Sequence, residues 1–191
     1  MPRRQPPPRL WLMTDERADD ALDRALLRLP RGSGVVFRHH HTAAPQRYRR
    51  YAAVRAIARR RGLVLVLAGT PRQARAWRAD GVHGTSTTRD PRRLRTGPAH
   101  DRRELVACMR AGCDLIFLSP VFETRSHPGA RPLGPLRFAA LARSSPIPIV
   151  ALGGMDAARF RCLKQAGAYG WAAIDAWSRQ AVLQKRKVVP R

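Results

Sequence analysis

Short apolar runs alternate with amphipathic stretches along almost the whole chain. The runs "LWLMT" (10–14), "GVVFR" (34–38), "LVLVLA" (63–68), "GVHG" (81–84), "DLIFLS" (114–119), "PIVALGG" (148–154) and "GWAAID" (170–175) read as strands. A weaker run, "TGPAH" (96–100), makes eight. Helical spacing covers about 17–29, 45–61, 71–79, 101–112, 135–144 and 156–167 between them. Asp101, with Glu104 three residues on, comes close to a capping box. Asp156 opens the last of these helices and Gly167 stands at its end as a C-cap.

Runs such as "LVLVLA" and "PIVAL" show no polar alternation, so both of their faces are covered, as in a parallel sheet. Repeated strand-then-helix units leave two architectures, an open doubly wound sheet or a closed (β/α)8 barrel. Eight strand candidates favour the barrel. The expectation is therefore an α/β protein with a TIM-barrel fold, abbreviated around residues 85–99, where no convincing helix separates two strands. One domain over 9–183 would follow a disordered, basic and proline-rich lead-in at 1–8 and end in a basic tail at 184–191.

Composition changes this picture little. The formal charge of +24 invites a nucleic-acid reading. Yet the basic residues are nearly all arginine and are dispersed through almost every segment, so non-specific adhesion to polyanions is the expectation. A basic nucleic-acid-associated protein stays an alternative. No apolar stretch is long enough to cross a membrane, and the N-terminus lacks the apolar run of a signal peptide, so a cytoplasmic location is expected. Three cysteines, Cys108, Cys113 and Cys162, without a Cys-x-x-Cys pair, read as small buried hydrophobes rather than a disulfide framework.

Candidate chemistry lies in the segments that follow strands. Gly153 and Gly154 end the seventh strand, where such barrels commonly bare backbone N–H groups to phosphate. A glycine-mediated turn alone is the competing reading. The "HHH" run at 39–41 suggests a metal site less than it first appears, because neighbours on an extended segment point apart. His83 reads as a strand-end structural residue, and His100 either starts a helix beside Asp101 or faces the barrel mouth.

The segments "LWLMTDE", "DGVHG", "GCDLIFLSPVFETRSHPGARPLG", "IPIVALGGM" and "QAGAYGWAAIDA" follow one another in the order seen in thiamine phosphate synthases and the related TenI thiazole tautomerases. The resemblance spans roughly residues 9–178. It implies a (β/α)8 barrel of thiamine biosynthesis that joins hydroxymethylpyrimidine diphosphate to thiazole phosphate, or descends from enzymes that do. A catalytically diminished barrel that only binds a small phosphate is the alternative.

By the same resemblance, the thiazole phosphate would meet Gly153, Gly154 and the backbone at Ile174 and Asp175, with Thr124 from the loop after the sixth strand. A serine is usual where Asp175 stands, and a carboxylate beside a dianion is unfavourable unless it turns away or is protonated. Arg38 and His127 would serve the diphosphate, His127 standing where synthases carry lysine. His40 falls at a second lysine position and Val36 at a glutamine position. The Mg2+ that synthases hold with an Asn-Asp pair and a further aspartate would find Ala68, Gly69 and Thr87 or Thr88 here, with Asp90 the nearest candidate carboxylate. The tautomerase histidine position is Pro120. Neither activity of the family arrives with its full set of residues.

Overall fold

A computed structural model describes residues 6–86, 88, 90–124, 129 and 131–174. Eight parallel strands close on themselves in sequence order: β1 (Leu10–Met13), β2 (Gly34–Phe37), β3 (Val64–Ala68), β4 (Gly81–His83), β5 (Leu94–Ala99), β6 (Leu115–Leu118), β7 (Ile149–Ala151) and β8 (Gly170–Ala173). β8 closes the ring against β1 with Trp11 opposite Ala172. Among the described residues six helices lie between strands: α1 (Asp19–Arg28, after a short 3-10 turn), α2 (Ala44–Arg61), α3 (Pro71–Ala76), α4 (Arg102–Arg110), α5 (Gly134–Arg143) and α6 (Ala157–Lys164). The expected barrel is therefore the observed one, and the weak fifth strand is real.

Every second residue of each strand points inward and fills the barrel. Trp11, Met13, Val36, Val66, Ala68, Leu94, Leu115, Phe117, Val150 and Ala172 form this inner cluster. Trp11 is its largest member and is fully buried, meeting the Phe117 ring edge-on at 5.2 Å. Gly34 makes room for it, since a Cβ there would lie 2.2 Å from the indole. Two outer clusters separate the strands from the helices, one under α1 to α3 and the other under α4 to α6.

The abbreviated quarter holds together through arginines where a helix would otherwise cover the strands. Arg95 is 4% exposed and donates to the Ser86 carbonyl, while Arg93 donates to the Ala79 carbonyl. Pro7 and Pro8, just before β1, are fastened to the barrel: the Trp11 indole N–H donates to Pro8 O at 2.7 Å and Tyr169 Oη to Pro7 O at 2.6 Å. Cys108 and Cys113 are buried as expected, but Cys162 is exposed, because α6 turns the neighbouring Leu163 inward.

Asp101 and Asp156 are both N-caps, accepting the N–H of Glu104 and of Arg159, each at 2.8 Å. The capping box at α4 is incomplete. The Glu104 carboxylate reaches His100, accepting from its backbone N–H at 2.8 Å and pairing with Nδ1 at 2.7 Å. The basic tail lies outside the described residues.

Candidate active site

The mouth of the barrel is the rim at the C-terminal ends of the strands, and the segments after β1 and β2 carry a network of polar contacts. Thr14, buried just past β1, accepts the Arg38 backbone N–H at 3.0 Å and lies 2.9 Å from Nδ1 of His39. His39 stacks on Phe37 at 4.5 Å and reaches Asp19 Oδ1 with Nε2 at 2.9 Å. The carboxylate calls for a proton on Nε2, so in the neutral ring Nδ1 accepts from the Thr14 hydroxyl. His39 adopts φ +41, which throws His40 to the outside of this knot. The three histidines thus point apart, and the inward one is a fastener between the β1 and β2 loops.

Arg38 donates from Nε to Thr14 O at 2.8 Å and from Nη2 to Asp15 at 3.1 Å. Burial pulls its guanidinium below the usual value, with Asp15 opposing. The Arg17 hydrogen bond, with the Arg38 charge behind it, lowers Asp15 to about 2, so that carboxylate stays ionised. His40 is exposed; partial desolvation and then the charges of Arg47 and Arg38 lower its pKa. His83, mostly buried at the end of β4, bonds Thr96 Oγ1 through Nδ1 at 2.9 Å and meets the Phe117 ring edge-on. Burial, followed by the charges of Arg38 and His40, drives its pKa down to about 3, so the ring is neutral.

Arg47, from the first turns of α2, completes this side and is the residue that sequence reading missed. It spans two strand ends, Nη2 donating to Arg38 O at 2.7 Å and to Ala68 O at 2.6 Å. Its guanidinium lies over the rings of Trp77 at 5.4 Å and Phe37 at 5.8 Å. In the sequence it is one arginine of "RYRR" and carries no distinguishing signal.

Across the rim, Gly153 and Gly154 have φ of +91 and +62. A Cβ on Gly153 would lie 2.7 Å from Pro120 Cα, and one on Gly154 would lie 2.5 Å from Glu123 O. The turn therefore packs against the loop after β6, which it also holds by Phe122 N–H donating to Gly153 O at 3.2 Å. Among the described residues the N–H groups of Gly153 and Gly154 donate to no protein acceptor. Both readings of the glycines thus have a physical basis: the turn demands them, and it leaves two donors bare. Thr124 is half-buried in the same loop, and Ile174 packs on the inner cluster at the end of β8. His127 and Asp175 lie outside the described residues.

Two candidates lie away from the mouth's interior. His100 is 48% exposed and fastened to Glu104 at the start of α4, which favours its helix-start reading. Asp90 pairs with Arg93 at 3.2 Å, immediately before β5, at the opposite end of the barrel. The donors that remain do not suit the Mg2+ that the family resemblance implies. Ala68 has no side-chain oxygen, and its carbonyl is taken by Arg47. Gly69 offers none, and Asp15 and Glu16 are engaged by Arg17 and Arg38 and by the His41–Thr42 segment. Among the described residues no three His, Cys, Asp or Glu side chains gather into a metal-binding group.

The mouth of this closed barrel thus carries guanidinia on its β2–β3 side and bare backbone donors after β7, groups of the kind that meet anions. The chain belongs to the thiamine monophosphate synthase family, whose model matches residues 10–177. It is 30% identical over 151 residues to the thiamine-phosphate synthase of Chloroflexus aurantiacus, covering 74% of this chain and 70% of that one. With the thiamine-phosphate synthase of Chlorobium phaeobacteroides it shares 29% identity over 185 residues, 91% of this chain and 90% of the relative. The solved thiamine phosphate pyrophosphorylase of Pyrococcus furiosus superposes with a TM-score of 0.74 at 19% identity, covering 95% and 97% of the two chains, and so shares the fold. Among the described residues, no helix is long and apolar enough to cross a membrane.

Proposed function

We propose that the chain acts as a thiamine phosphate synthase-type transferase. A thiazole phosphate would sit at the Gly153–Gly154 turn and a pyrimidine diphosphate at Arg38, with His127 as a further diphosphate contact. The reaction is an alkyl transfer: the carbon–oxygen bond to the diphosphate breaks, the diphosphate leaves with the electron pair, and the pyrimidine carbon joins the thiazole nitrogen. Arg38 is positioned for the leaving group. Its Nε and Nη2 are held by Thr14 and Asp15, which leaves Nη1 for a ligand.

The observation that carries this reading is the pair of bare N–H groups on Gly153 and Gly154 in a barrel of this family. Titration calorimetry with thiazole phosphate and with the unphosphorylated thiazole alcohol tests it. Two backbone bonds to a charged acceptor, at about 1.5–3 kcal/mol each, predict at least a hundredfold preference for the phosphate. Equal affinities would remove the phosphate site.

The oxygen-free side chains of Ala68 and Gly69 favour a second reading, a barrel that binds these phosphates and turns over weakly. Product formation with Mg2+, measured beside the same titration, separates the two.

A further inference from the structure

We propose that Arg47, seconded by Arg38, supplies the positive charge for the diphosphate that a divalent cation would otherwise supply, so that diphosphate binding by this chain is independent of metal. The inference rests on the proposed placement of the diphosphate at the β2–β3 side of the mouth.

The argument starts from what surrounds the two strand ends. Ala68 and Gly69 supply no side-chain oxygen, the Thr70 hydroxyl and Gln73 amide oxygen that follow are engaged with each other in the capping box of α3, and the Ala68 carbonyl is spent on Arg47. Every carboxylate of the β1 loop already has cationic or N–H partners. Arg47, by contrast, makes no ion pair among the described residues, and its hydrogen bonds go only to the neutral carbonyls of Arg38 and Ala68. Its charge is fixed in place with no carboxylate in contact; Glu16 acts on it only at a distance.

Four contacts do the fixing: two strand-end carbonyls, the Trp77 ring and the Phe37 ring. Nη1 is left without a protein partner among the described residues. A planar guanidinium held in this way meets phosphate oxygens with little loss of side-chain entropy, as a rotatable ammonium does not. Arg38 stands beside it, its own Nη1 equally open. The pair places two cationic forks at one rim; partial burial and then the charges of Arg47 and Arg38 lower the pKa of nearby His40.

The test is calorimetric titration of the full-length chain with inorganic pyrophosphate, in chelator and in excess Mg2+. Pyrophosphate should bind in chelator, and added Mg2+ should leave binding unchanged or weaken it, because Mg2+ competes for the same oxygens. Arg47→Met, which keeps a long side chain against Trp77 and Phe37, should lower affinity in chelator by about ten- to a hundredfold. Arg47→Lys should fall between the two. Binding that needs Mg2+, or tightens more than tenfold with it, overturns the inference and leaves the proposed site standing. So does an Arg47→Met protein that binds as wild type does. Absence of pyrophosphate binding under both conditions instead removes the diphosphate placement itself. The comparison with and without metal uses wild-type protein and stands even where a variant does not fold.

Discussion

His83 offers the most quantitative handle on the mouth. Its ring is mostly buried between Thr96, Phe117 and the Arg38–His40 side, and its pKa falls to about 3 from an ordinary 6.5. The unfolded chain takes up a proton on this residue near pH 6.5, whereas the folded chain does so only near pH 3. Between those values the unfolded state binds more protons, so stability is full above pH 6.5 and declines as the pH falls towards 3. From the two pKa values, the loss at pH 5 amounts to about 2 kcal/mol, against a few tenths at pH 7. His83→Asn keeps an amide near the Nδ1 position, able to bond Thr96, and removes the titration. Urea unfolding followed by tryptophan fluorescence at pH 7 and pH 5 gives the difference directly. The wild type should lose about 2 kcal/mol more than the variant on acidification, whatever the other histidines and carboxylates do to both. Equal losses in the two proteins would refute the reasoning, as would an NMR titration of His83 with a midpoint near its ordinary value.

Three further outcomes follow from the packing. Gly34→Ala drives a methyl group into the Trp11 ring and should destabilise by about 1–3 kcal/mol in urea unfolding; combined with Trp11→Leu the cost should shrink, and strict additivity would refute the contact. Asp101→Ala removes the N-cap of α4 and should cost about 1 kcal/mol, read as a lower urea midpoint at unchanged slope. Gly154→Ala meets both positive φ and the Glu123 carbonyl, so it should lower the thermal midpoint even without ligand, and a variant as stable as wild type would show that the turn tolerates a Cβ.

The architecture was legible because most of the buried strands are runs of apolar residues and some helices carry a capping side chain at their start. Asp101 and Asp156 announce their helices through the chemistry of their own side chains, without reference to the rest of the chain. The fifth strand, Leu94–Ala99, was faint for a physical reason: it contains Gly97 and Pro98, and its flank is covered by the arginines of its own loop in place of an apolar helix. Gly153 and Gly154 could be placed at the mouth from position alone. That their bare N–H groups coexist with tight packing on the Pro120–Glu123 loop is a property of two segments some thirty residues apart, which no local pattern encodes. His39 and Arg47 were hidden in the same way. One sits in a run of three histidines and the other in a run of arginines, and only the folded chain sets them apart from their neighbours, through Thr14, Asp19, Arg38 and Ala68.

These hidden contacts bear on how the mouth of such a barrel can diverge. On the proposed placement the phosphate side would rest on backbone N–H groups, which any sequence supplies once the turn is made, so it would persist as long as the two glycines and the loop beneath them do. The diphosphate side would rest on side chains, so charge there could be rebuilt from different residues without altering the strands. With no side-chain oxygen on Ala68 or Gly69 at the end of β3, the Ala68 carbonyl binds a guanidinium, and α2 starts close enough to provide it. On the proposed arrangement, a divalent cation between the same strand ends would meet the Arg47 charge, which the Arg38 and Ala68 carbonyls do not neutralise, and would bind there less favourably than in a relative that lacks the arginine.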